Sequence, residues 1–369
     1  MQKLTAREDW CDVAKAYGII LVYFGHILEK FYTQTGDQGI FLQYKLVYSF
    51  HMPFFFLLAG YFYKHQSNFF RFFKGKIKTR LVPVLFFCFL MLPFCLAYDG
   101  LTLHAIAYRS YAYRLMLMIS GKPFLNNVMW FVICLFTVEF IAFYVFSVMN
   151  ISLEKRALII VCILAYIVGY IVNYLMLSHC VTIEDITGIK KNFWYIHEAV
   201  ISFSFYCLGI FLKKSNCLKC GWHIGRKLSF LAICLVILFI TFDLNDGPFG
   251  KYNLPAVSMA GGSHGHFIWF PVTACAGIFA MIFCAQVTIK NKFLLYVGRN
   301  TLILLGLSGF WHLFLNQEIV LYCLALNEKN SLIISFYFLV ISVLSIFLCL
   351  PFVIFLNKYA PWVVGRKIL

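Results

Sequence analysis

Apolar runs of roughly 18–22 residues recur along the whole of this 369-residue chain, each long enough to cross a ~30 Å hydrocarbon layer as a helix. Within lipid only helices and closed barrels satisfy their own backbone. Evenly spaced, short alternating strands are absent, which argues against a barrel. The runs therefore predict an all-α, polytopic membrane protein. Charge agrees with this: 12% of the residues are charged, about half of the ~25% carried by soluble domains. With no internal repeat and no low-complexity tract, residues 1–369 read as a single integral-membrane domain. Lys3 and Arg7 precede an apolar stretch without a small-residue cleavage site, so that stretch is expected to stay as the first span.

About ten helices are predicted, at 13–31, 40–63, 81–98, 128–149, 157–177, 196–212, 228–242, 267–287, 294–315 and 331–356, with an irregular stretch over 100–127. Its mixture "AYRSYAYRLMLM" suggests an interfacial or re-entrant helix. Placing the N-terminus inside puts twenty-one Lys and Arg in inner segments and eight in outer ones, with Lys15 and Lys45 at helix ends. Acidic residues lean the other way, nine outside against three inside. This bias predicts both termini in the cytoplasm. It also gives the net charge of +16 an ordinary cause and removes nucleic acid as a partner. Most of the fourteen Cys fall within spans, where they act as small hydrophobes. Cys217-x-x-Cys220 with His223 is half of a zinc pattern, but no second pair completes it, so no metal is expected.

Ionisable groups at membrane depth are costly and mark function by default. They are Asp12, Lys15 and His26 in the first run, His51 in the second, then Glu139, His197, Glu198 and His312. Lys15 and His26 are eleven residues apart, ~16 Å of helical rise and within about 20° of one face. Asp12 shares that face. His26 lies ~20 Å from the inner surface and His51 ~15 Å from the outer one, so in a ~30 Å core they are nearly level and their rings can meet. Pro53, two residues after His51, removes a hydrogen bond and displaces the Ser49 carbonyl. Freed backbone at this depth is tolerated where it lines protein or a cavity, so "SFHMP" reads as a polar notch beside His26.

The competing reading is that the two histidines only hold the bundle together, and for His197, His312 and Glu139 pairing and function both stay open. His264 and His266 fall in an outer Gly-rich loop and are expected to be solvated. The inner run "RFFKGKIKTR" (71–80) suits a phosphorylated ligand or anionic headgroups, although positive-inside bias alone also explains it. No GxGxxG or Walker sequence is present.

"DVAKAYGIILVYFGH", "FHMPFFFLLAGYF" and "KTRLVP" together resemble the membrane-bound acyltransferase family 3, in particular its branch similar to fucose 4-O-acetyltransferases. The matching features are Lys15-x10-His26, the second segment around His51, and the entry Arg80, Leu81, Pro83 to the third helix. Weaker likenesses are "WFVICLF", "NFWYIHEAVISFSFYCLGIFLKK" and "VGRNTLILLGLSGFWH", so the resemblance spans nearly the whole chain. Lys15 stands where many members have Arg, and a bidentate Arg contact does not carry over.

The resemblance implies an O-acyltransferase of a bacterial inner (cytoplasmic) membrane. It would move an acyl group, most often acetyl from cytoplasmic acetyl-CoA, to a hydroxyl of a cell-surface glycan such as lipopolysaccharide or of its lipid-linked precursor. On that expectation His26 is the general base, with a covalent acetyl-His as a variant. His51 orients it or donates to the oxyanion. Asp12, Lys15, Lys76, Lys78 and Arg80 meet the phosphate and pantetheine end of the donor. The rival from another class is a flippase for a lipid-linked sugar, which intramembrane His and Glu and a Pro-broken helix also suit. A purely structural or sensory protein is weaker, because it leaves the level histidines unexplained.

Overall fold

The computed structural model describes residues 8–101, 108–187, 193–219, 221–246, 256–289, 291–326 and 328–366. Lys3, Arg7 and Cys220 lie outside these. Fifteen α-helices run in chain order: α1 Asp9–Thr35, α2 Gln38–Tyr48, α3 His51–Tyr61, α4 Phe69–Lys76, α5 Val82–Leu101, α6 Tyr108–Leu117, α7 Trp130–Phe143, α8 Lys155–Thr187, α9 Ile196–Ser215, α10 Ile224–Thr241, α11 Trp269–Val287, α12 Lys292–Arg299, α13 Thr301–Phe310, α14 Asn316–Ala325 and α15 Ser331–Tyr359. π-Helical turns join α4 to α5 (Ile77–Leu81), extend α7 (Tyr144–Val148) and join α13 to α14 (Trp311–Leu315).

The protein is an all-α polytopic membrane protein. Among the described residues nine continuous helices are long and apolar enough to cross a membrane. α2 and α3, each of 11 residues, follow one another across a short break and are not among these nine. Both described ends of the chain lie at one end of the bundle, the near end. There Lys213 Nζ meets Glu8 Oε1 at 2.7 Å, and Arg366 Nη2 donates to the Arg299 carbonyl at 2.6 Å. At the far end Gln34 meets Gln317, and Lys45 meets Asp243 and Asp246.

Three elements depart from the predicted boundaries. The third pass begins at Phe69 rather than residue 81, because the Asn68 side chain caps α4 by accepting the Arg71 N–H at 2.9 Å. The basic run is thus helical and leads without interruption into the membrane helix. The predicted span at 294–315 is two elements. Short α12 ends at Asn300, whose Nδ2 donates to the Tyr296 carbonyl at 2.8 Å and whose Oδ1 accepts from Asn357 and Arg366. The crossing helix then runs over Thr301–Ala325. α8 continues past residue 177 to Thr187. Within the irregular stretch 100–127, α6 is a separate ten-residue helix.

α3 crosses α9 at close range. A Cβ at Gly60 would overlap the Tyr206 carbonyl, and one at Gly209 the Leu57 carbonyl. Each helix thus uses a glycine to let the other backbone approach, the usual way to bring helices together where lipid supplies no hydrophobic drive. Gly209→Leu is expected to destabilise the purified protein by about 2–3 kcal/mol through overpacking, read as a fall in melting temperature in detergent. Gly209→Ala should cost less.

Candidate active site

Pro53 breaks the second pass outright. α2 stops at Tyr48, Ser49 and Phe50 form a turn, and α3 starts at His51. His51, 4% exposed, turns its ring back on this break, and Nδ1–H donates to the Val47 carbonyl at 2.9 Å. The imidazole replaces a helical N–H, and Nε2 is left as the basic nitrogen.

Beside the break is a cavity of about 330 Å³, lined by His26, Glu29, Tyr48, His51 and His312, together with Lys122, Trp130 and Tyr195, and reaching exposed Asn127. Tyr48 gives its proton to Glu29 Oε2 at 2.9 Å. Its oxygen therefore accepts from His26 Nδ1, 3.4 Å away. Glu29 Oε2 is itself 3.5 Å from that nitrogen. Both partners favour the proton of His26 on Nδ1, which leaves Nε2 as the ring nitrogen with a free lone pair. The His312 ring lies against the His26 ring, centroids 4.7 Å apart. The π turn Trp311–Leu315 that carries His312 inserts one residue into the helix and so sets where the side chain points. His312 Nδ1 is buried and has no hydrogen-bond partner among the described residues. His26 and His51 line one cavity, but the Tyr48 ring stands between them, 4.7 Å from that of His51.

A second cavity of about 390 Å³ opens at the near end, where exposed Lys64 and Phe62 form part of its wall. Lys15, Lys64, Lys76 and Arg80 line it, with one carboxylate, Glu139. Glu139 is 4% exposed. Its Oε1 accepts from Lys76 Nζ at 2.7 Å and Arg80 Nη2 at 2.9 Å, and Oε2 accepts from Arg80 Nε at 3.0 Å. The excess of cations makes this chamber a place for a polyanion. The two cavities share Val22, Met52, Phe131 and Leu305. These four apolar side chains form a collar between the two cavities.

The other sequence candidates fall as follows. Asp12 is buried behind Lys15, 3.8 Å from its Nζ and 3.2 Å from Arg299 Nε. It braces α1 against α12 and is not on the cavity wall. Lys78 is exposed and lines neither cavity. The carbonyl of His197 accepts from Asn173 Nδ2 at 2.8 Å, and Glu198 packs near the turn at Gly262. The expectation of solvated loop histidines holds for His266, whose Nδ1 accepts the Ile268 and Trp269 N–H groups at the start of α11. It fails for His264, which is buried against Phe270 with centroids 5.6 Å apart. Burial pushes its imidazole down to about 3. A Gly-rich segment reads as loop from composition, yet here it folds back into the bundle.

Glu29 and Tyr48 were missed. Glu29 is three residues after His26, on the same helical face, a signal that was available. It was read as an outer-loop charge because the predicted helix ended close by. Among the described residues no group of three or more His, Cys, Asp or Glu is placed to hold a metal.

In comparison with known proteins, the family described as an acyltransferase domain (acyltransferase 3) matches residues 8–356. No curated protein and no solved structure matches the chain.

Proposed function

From the premise that the chain belongs to this acyltransferase family, we propose that it moves acetyl from cytoplasmic acetyl-CoA, held in the near cavity, to a sugar hydroxyl that enters the far one. The observation that carries this is the pair of cavities. One is cationic, one is histidine-lined, and four apolar side chains line both. The near end corresponds to the cytoplasmic face, where Lys and Arg collect. The branch that the sequence resembles acts on cell-surface glycans, and the far cavity suits this, since its lining includes the aromatic side chains of Trp130 and Tyr195.

Lys15, Lys64, Lys76 and Arg80 would meet the donor phosphates, and the apolar side chains between them and the collar would take the pantetheine arm. His26 Nε2 removes the hydroxyl proton as the oxygen attacks the thioester carbonyl. The C–S bond breaks, the new ester C–O bond forms, and the proton passes from His26 to the departing thiolate. Glu29 and Tyr48 keep the imidazole in the tautomer this requires and stabilise its protonated form. His51 and His312 present further ring nitrogens to the reacting oxygen.

The reading is tested with inside-out membrane vesicles and labelled acetyl-CoA. Label should enter the glycan or lipid-linked saccharide fraction, and surface polysaccharide should gain O-acetyl methyl signals by NMR. Glu29→Gln should slow transfer by about 10²-fold or more with little change in donor KM, since it disturbs the orientation of the base. Absence of any labelled glycan from the wild-type vesicles sinks the reading.

A further inference from the structure

Val22, Met52, Phe131 and Leu305, the side chains common to both cavities, are tied to the site by their places in the chain. Val22 is one turn before His26 on α1, and Met52 follows His51 on α3. Phe131 follows Trp130 on α7, and Leu305 is seven residues before His312 on α13. Every helix that brings an imidazole to the far cavity thus also brings one collar residue.

We propose that this collar selects the acyl donor by chain length, passing a short acyl group and rejecting longer ones. The inference rests on the acetyl-transfer reading above. A thioester arriving from the near cavity brings its carbonyl to His26 only if its acyl tail lies in the collar or beyond it. The collar is not a loose sleeve. Its four side chains are each at most 9% exposed, and Phe131 is packed on the rings of Phe55 and Phe56, with centroids 5.7 and 4.9 Å away. Each added methylene must therefore displace packed atoms or occupy the space where the acceptor hydroxyl attacks. Met52 and Leu305 are the residues whose truncation widens the collar without removing that aromatic packing.

The test offers labelled acetyl-, propionyl- and butyryl-CoA in turn to inside-out vesicles from cells making the full-length chain, and counts label in the glycan fraction. Wild type should prefer acetyl to butyryl by at least about tenfold, the range in which one or two methylenes are discriminated by an apolar pocket. Leu305→Ala and, independently, Met52→Ala should raise the butyryl-to-acetyl ratio by about tenfold, with monodisperse elution in detergent showing that each variant folds. Wild type that transfers butyryl as fast as acetyl overturns the collar, and so does an unchanged ratio in the folded variants. Either result leaves acetyl transfer itself standing. No acetyl transfer by wild type overturns the reading on which the collar depends, and the collar with it.

Discussion

His26→Ala is expected to lower acyl transfer by about 10²–10⁴-fold, the contribution of a positioned general base, while the protein still folds. Both halves of this expectation come from the site. The His26 side chain is 20% exposed and lines a cavity instead of filling a core position. Its ring touches the ring of His312, Tyr48 and Glu29. Of these, Tyr48 and Glu29 keep their mutual hydrogen bond when the imidazole is gone. On the proposed function, the loss should fall on kcat more than on the KM for acetyl-CoA, because the donor phosphates would be met by cations in the other cavity. The measurement is initial rate of labelled acetyl transfer in vesicles, normalised to folded protein by detergent gel filtration. Full activity in a folded His26→Ala protein removes His26 as the base. His51→Ala is a less clean probe, since it also removes the shorter of the hydrogen bonds to the Val47 carbonyl at the helix break, leaving that from the Phe50 N–H.

Glu139→Leu is expected to destabilise the protein by about 3 kcal/mol, at the lower end of the cost of removing one partner from a buried ion cluster. The lower end applies because Lys76 and Arg80 keep about a quarter of their side-chain surface exposed, 23% and 25%, and water in the near cavity can solvate them. What the variant loses is three hydrogen bonds and the one negative charge that lets two cations stand side by side at membrane depth. Glu139→Gln keeps the shape and one acceptor oxygen and should cost less. A melting curve in detergent, with and without high salt, measures both. An unchanged melting temperature for Glu139→Leu would refute the pairing as a structural tie. If the cluster also shapes the donor chamber, the folded Glu139→Gln protein should show a changed KM for acetyl-CoA.

A local pattern is legible in sequence when the backbone alone sets its period. Run length outlined an all-α polytopic bundle, and the apolar second run was recognised although the structure breaks it into α2 and α3. The break itself was signalled by Pro53, because a missing N–H acts within one turn. The 3.6-residue repeat likewise placed Lys15 and His26 on one face, and each lines a cavity, Lys15 the near one and His26 the far one. Where a strong local signal was missing, the reading slipped. Asn300 ends α12 by bonds to Asn357 and Arg366, far along the chain, and no hydropathy profile records that.

By itself, then, the sequence determined that the chain is an all-helical membrane protein, roughly where most of its apolar helices run, and that His26, His51, Glu139 and His312 fall within them. The tertiary structure alone decided how those residues are partnered. It set His312 against His26, turned Glu139 into the anchor of Lys76 and Arg80, moved Asp12 behind the cavity wall, and closed four apolar side chains from four helices into a collar. The reason is physical: helical periodicity is a property of neighbouring residues, whereas which helices touch, and at what depth, depends on packing between segments that share no sequence period.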